Sequence, residues 1–285
     1  MKTLRILLCW MLVCFLPLSA AGAASPVLGS STGAMSPNRT TQSYGAQLQE
    51  TALGCYVADS LRAGTGAQLS IICGGLLVQS LPGGTITSDD VKAVFQQDQP
   101  VLVVTIQAEA LFQLLEQAVS YAQLGEDELL DPDSSAEQFP QISGFSFVFD
   151  VSQLPGRRVR EITLEDGSPL ERTDTRSFTL AVPRNMTDGT LGFSVLEGAA
   201  GTAAGTLSEL LSSYVQGQGQ VIIPETGRIT MLGSAGQTLF EQFHMGAQLP
   251  YVLLLILLIR LPWRRRRQQA SGYKYPFGKK TRPGE

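Results

Sequence analysis

Leu53, Tyr56, Val57 and Leu61, with Ser60 between them, recur at helical spacing from near Gln49, and Gly64 closes that run. Gln68 to Cys73 is a short apolar strand, turned by Gly74 and Gly75. Ser88, Asp89 and Asp90 suit the start of a short helix through Phe95, because acceptors and negative charge satisfy a helix N-terminus. Pro100 to Ile106 is a β-branched run of the buried-strand type. Ala108 to Ala122 places Leu111, Leu114, Leu115, Ala118 and Val119 on one helical side. Between Gly144 and Asp150, Phe145, Phe147 and Phe149 alternate with their neighbours, the period of a half-buried strand. Pro155-Gly156 turns the chain into a partner strand, Arg158 to Leu164, which Asp166-Gly167 ends. Ser177 to Val182 is a further strand, Leu207 to Val215 a helix and Gly227 to Leu232 a last strand. Strands and helices alternate without a regular βαβ beat, so the expected class is α+β, a single layered domain over 49–232.

The flanks differ from this core. Residues 25–48 are rich in Ser, Thr, Gly and Pro and read as a flexible leader. Residues 1–24 carry Lys2 and Arg5, then an apolar run, then Ala20 to Ala24, which is the layout of a signal peptide. Neither Cys9 nor Cys14 has the small residue before it that lipidation requires. Residues 249–261 are almost all apolar, interrupted by Pro250 and Arg260, and Arg264 to Arg267 follow. The expectation is a juxtamembrane linker at 233–246, a transmembrane helix at 247–263 and a basic cytoplasmic tail at 264–285, since positive flanks stay inside. The protein is then a single-pass cell-membrane protein whose domain faces outward.

Charge sharpens the division. Residues 25–259 hold 24 Asp and Glu against 10 Lys and Arg, a net of −14, whereas 264–285 hold 8 Lys and Arg against Glu285, a net of +7. So acidic a middle region repels phosphate backbones and excludes a nucleic-acid surface. The only histidine, His244, lies beside the apolar run, so no histidine cluster can bind metals. No metalloprotease, phosphate-loop or paired-cysteine motif occurs. The acidic run Glu126, Asp127, Glu128, Asp131 and Asp133 lacks the turn glycine and alternating ligands of a calcium loop.

Several stretches, taken in order, resemble the 5′-nucleotidase C-terminal domain. They are Glu50-Thr-Ala-Leu-Gly54 with Val57-Ala-Asp59 and Leu61-Arg62; Ile72-Cys-Gly-Gly75 with Leu81-Pro-Gly-Gly-Thr-Ile-Thr87; and Gln141-Ile-Ser-Gly144 with Phe149-Asp150, Pro155-Gly156 and Arg158-Val159. The resemblance implies a domain that grips a nucleoside between two aromatic rings, while a separate metallophosphatase domain holds two metals and hydrolyses. It places Cys73 where the family's loop has Asn, Val78 where it has Arg, and Cys55 at a basic or amide position of the opening helix. The stacking rings fall at Gln97 and near Asn185, and the family's Gly-Gly-Asp-Gly stretch reads Asp188-Gly-Thr-Leu-Gly192, which puts Leu191 at its aspartate, while Gly74 and Gly75 stay in the pattern. A nucleobase stacks only on a π face, and a phosphate needs charged or amide donors. The implied pocket is therefore degenerate, with no cofactor of its own. Any dimetal centre would come from a partner chain. Two mature cysteines at this pocket outside the cytoplasm are expected to form a Cys55–Cys73 disulfide, worth about 3 kcal/mol by loop closure; two buried thiols are the alternative. The function expected is a membrane-tethered, non-catalytic binding or accessory module. The alternatives are the substrate-binding half of a split nucleotidase, completed by a separate metallophosphatase chain, and a receptor for another small ligand with Arg184, Asn185 and Asp188 on its rim.

Overall fold

The computed structural model describes residues 24–38, 40, 44–125, 131–134 and 136–233. The signal peptide, Glu126 to Glu128, His244, most of the linker, the apolar run and the basic tail lie outside the described residues. Among the described residues no helix is long and apolar enough to cross a membrane.

Among the described residues eleven strands and four helices follow one another: β1 Val27–Ser31, α1 Ala52–Thr65, β2 Leu69–Cys73, β3 Gly84–Thr87, α2 Ser88–Ala93, β4 Pro100–Gln107, α3 Ala108–Ala118, β5 Pro140–Ser143, β6 Phe145–Asp150, β7 Val159–Leu164, β8 Ser177–Pro183, β9 Gly201–Thr206, α4 Leu207–Gln218, β10 Gln220–Val221 and β11 Ile229–Leu232. Helix starts follow their capping residues. Thr51 accepts from Gly54 N–H, and Thr87 with Asp90 and Thr206 with Glu209 form reciprocal capping boxes. The first helix runs past Gly64 to Thr65 and ends at Gly66, whose left-handed φ of 67° lets its N–H reach Arg62 O. The third helix stops at Ala118, four residues before the expected Ala122; Val119 and Ala122 remain buried as a turn.

A five-stranded sheet, in the order β5-β2-β8-β4-β9, forms the middle layer. β2 and β8 run parallel and the other pairs are antiparallel. On one face, Ile71, Val104, Ile106, Leu180 and Val182 pack against α3 and against the sheet β11-β6-β7, where Phe145, Phe147 and Phe149 are all buried. On the other face, Ile72, Val101 and Ala181 pack against Leu53, Val57 and Leu61 of α1 and Leu207, Leu211 and Val215 of α4. The architecture is a mixed α and β fold with helices and small sheets on both faces of one central sheet.

The leader is the main correction to the sequence reading. β1 lies within it, antiparallel to β3 and parallel to β10, and Met35, Ala46 and Leu48 are buried. The folded unit therefore begins near Val27, some twenty residues before the expected boundary.

Candidate functional site

β2 and β8 are parallel neighbours, so the loops leaving them emerge at the same edge of the sheet. That edge is where open α/β sheets commonly place ligands. After β2 the chain takes one 3-10 turn, Gly74–Leu76, and reaches Val78; after β8 it takes another, Arg184–Met186, and reaches Asp188. Gln97 precedes β4, whose Val101 pairs with Pro183 at the end of β8. Cys73, Gly74, Gly75, Val78, Gln97, Asn185 and Asp188 thus share one edge of the sheet. Cys55 lies in the first turn of α1, whose capping residue Thr51 is tied to Gln141 of β5.

The groups at this edge are engaged by the chain itself. Gly74 N–H donates to Phe139 O at 2.8 Å and Gly75 N–H to Glu137 O at 3.0 Å. A Cβ on Gly74 would overlap the Ala46 carbonyl, and one on Gly75 would overlap Glu137. Ala46 O is held in place by Gln141 Nε2 at 2.9 Å, and Gln138 Nε2 reaches Leu191 O at 3.4 Å. Residues 136–139 therefore lie across the glycine turn and touch the 188–192 loop. Val78 N–H donates to Val94 O at 2.8 Å, and the Val78 side chain is exposed. Gln97 is exposed and its Oε1 accepts from Gln99 Nε2. Asp188 is exposed, and hydrogen bonds from Thr190 hold its carboxyl below the usual range. Asn185 is buried, and its Oδ1 has no hydrogen-bond partner among the described residues.

The two cysteines are free thiols, so the expected bridge is absent. Side chains alternate along a strand. Cys73 packs into the core with Leu69 and Ile71, whereas Leu53, Tyr56 and Val57 of α1 pack on the opposite face of the sheet. The Cys55 thiol instead donates to Glu50 Oε1 at 3.0 Å. Burial raises both thiol pKa values, and the carboxylate of Glu50 raises that of Cys55 further. Unreduced peptides should show no 55–73 cross-link by mass spectrometry, and neither thiol should react with a thiol reagent until the protein is denatured. A cross-linked peptide, or rapid labelling of the native protein, would refute this arrangement.

The motif residues that carry the resemblance turn out to be internal ties. Glu50 accepts from Gly227 N–H at 2.6 Å and from Arg228 N–H at 3.0 Å, fixing the entry to β11 onto the start of α1. Arg228 forks onto Asp59 at 2.7 and 2.8 Å and also donates to Ile142 O. Ser143 donates to the same carboxylate at 2.6 Å. Burial disfavours the Arg228 cation, but the hydrogen-bonded charge of Asp59 more than offsets this and raises its pKa. Gln141 bridges Thr51 N–H, Ala46 O and Gln49 O. Nothing in the sequence marks Arg228 as the partner of Asp59, because 169 residues separate them. A shallow cavity of about 490 Å³ lies beside this network; its charges are tied in the pairs Arg228–Asp59 and Arg62–Glu165.

Two metal ions would need a cluster of His, Asp or Glu side chains. Among the described residues no three such groups converge, so these residues do not fit a dimetal centre.

The architecture is a mixed α and β domain whose β2 and β8 loops leave one central sheet at the same end. Residues 27–198 match the model of the 5′-nucleotidase C-terminal domain, and the chain belongs to that family. It is 26% identical over 190 residues to the trifunctional nucleotide phosphoesterase YfkN of Bacillus subtilis, covering 64% of this chain and 12% of that protein. It is 30% identical over 167 residues to the snake venom 5′-nucleotidase of Crotalus adamanteus, covering 55% of this chain and 26% of the relative. The crystal structure of a 5′-nucleotidase precursor from Thermus thermophilus superposes with a TM-score of 0.63 at 22% identity, covering 81% of this chain and 43% of that one. The chain thus spans less than half the length of each of these relatives.

Proposed function

We propose that this protein is a membrane-anchored, extracytoplasmic 5′-nucleotidase C-terminal domain that serves as a non-catalytic binding or accessory module and whose nucleotide pocket is degenerate. The observation that carries this reading is the occupation of the glycine turn: the N–H groups of Gly74 and Gly75 are already spent on Phe139 and Glu137. A phosphate or ribose would have to displace residues 136–139 before it met a donor. Gln97 and Asn185 present no aromatic face for a base, and Cys55 and Cys73 are buried thiols. Anchorage rests on the apolar run 249–261 followed by Arg264 to Arg267.

The full chain in detergent, supplied with manganese or zinc, should release no phosphate from AMP, ADP or UDP-sugars. Turnover that a chelator abolishes would overturn the reading. The names of the relatives favour a second one, a substrate-binding half completed by a separate metallophosphatase chain. On that reading an exported metallophosphatase should co-purify with the chain, and its turnover of AMP should depend on the chain's presence.

A further inference from the structure

The turn between β6 and β7, residues 151–158, is unlike the rest of the surface. Leu154 at its tip is 74% exposed, followed by exposed Pro155, Gly156 and Arg157. The buried Arg158 guanidinium donates to Val119 O at 2.6 Å and Ser120 O at 3.0 Å, which holds the turn against the end of α3. The next residue there, Tyr121, is 51% exposed and shares a cavity of about 260 Å³ with Pro155 and Gly156. The aliphatic tip and Arg157 therefore share one turn, and Tyr121 lies across the cavity from the turn's Pro155 and Gly156. Residues 157–160 hold three of the ten cations found between residues 25 and 259 (Arg157, Arg158 and Arg160), and the stretch 151–160 contains no acid. The acid before it, Asp150, is engaged by Ser152 and Gln153.

This is also where the described part of the chain ends. Leu232 pairs with Asp150, and Val151 N–H donates to Leu232 O at 2.9 Å. Leu154 lies three residues from Val151, so its Cα is within roughly 11 Å of that of Val151, beside this end. From Gly233 only sixteen residues lead to Leu249, where the apolar run begins. Sixteen residues in a random-coil chain have a root-mean-square span of about 20–25 Å, shorter than the diameter of about 40 Å expected for a domain of this size. On the anchorage reading, the face carrying Gly233 therefore lies on average nearer the apolar run than the opposite face does.

We infer that the Leu154 turn and Tyr121 form a bilayer-contact surface, with Leu154 and the tyrosine ring in the interfacial zone and Arg157 on lipid phosphates. Leucine, aromatic and arginine side chains are the types that partition to that zone. This inference rests on the anchorage reading above.

The test uses the full chain, with Cys9→Ser and Cys14→Ser, reconstituted into phosphatidylcholine–phosphatidylglycerol vesicles. Single spin labels are introduced through Leu154→Cys, Tyr121→Cys and Asp166→Cys; buried Cys55 and Cys73 stay unlabelled. Asp166 lies at the far end of the β6–β7 hairpin, about 20 Å away. Relaxation by membrane-dissolved oxygen, relative to a water-soluble nickel chelate, should be at least about threefold greater at 154 and 121 than at 166. Arg157→Glu should lower the ratio at 154. Equal ratios at the three positions, with the chain still resisting alkaline carbonate extraction, would overturn the contact surface and leave the anchor standing. Release of the chain by carbonate would overturn both.

Discussion

Replacing Glu50 with alanine should destabilise the domain by about 2–4 kcal/mol. The carboxylate is 7% exposed and takes the N–H groups of Gly227, Arg228 and Ile229 together with the Cys55 thiol. Truncation removes the acceptor but leaves the donors where water reaches them poorly, so the loss is the desolvation of several groups and not of one bond. Glu50→Gln keeps one acceptor oxygen and should cost less than half as much. Urea denaturation of the detergent-solubilised chain checks both, and the unfolding midpoint should order wild type, Glu50→Gln, Glu50→Ala. A change below about 0.5 kcal/mol for the alanine variant would mean that Glu50 does not hold the last strand.

Gly74→Ala is the second large effect. The new methyl group would meet the backbone carbonyl of Ala46, which Gln141 holds and which cannot swing aside as a side-chain tip can. Either the 44–49 segment moves off the turn or β2 shifts, and an overpacked site of this kind costs about 1–3 kcal/mol. The control is Gly217→Ala in α4, where the added methyl meets nothing and φ is helical. That change should stabilise by about 0.5–1 kcal/mol, because alanine loses less backbone entropy in a helix. Opposite signs for the two substitutions would support a covered glycine turn. Equal and small effects would show that the turn is open.

The sequence was most readable where a period and a burial pattern coincide. Phe145, Phe147 and Phe149 announce β6 because a two-residue alternation has no helical counterpart. β1 and β9 gave no such signal. The first, Val-Leu-Gly-Ser-Ser, sits in a Ser- and Gly-rich stretch, and its order comes from pairing with β3 and β10. The second, Gly-Thr-Ala-Ala-Gly-Thr, is an edge strand of small residues held by β4 alone, so tertiary pairing decides what local propensity leaves open. At the candidate site, the Gly74-Gly75 turn was legible from its dipeptide. Its covering was not, because residues 136–139 return from a loop whose position no local pattern fixes. The disulfide expectation failed for a similar reason. It used the convergence of two positions on one place but not the face of β2 to which Cys73 belongs.

The tie from Glu50 to Gly227 joins groups 177 residues apart in the chain. A polypeptide made from its N-terminus presents α1 long before β11 exists, and closure entropy must be met before that contact gives any return. The domain must wait, incomplete at its first helix, until its final strand emerges.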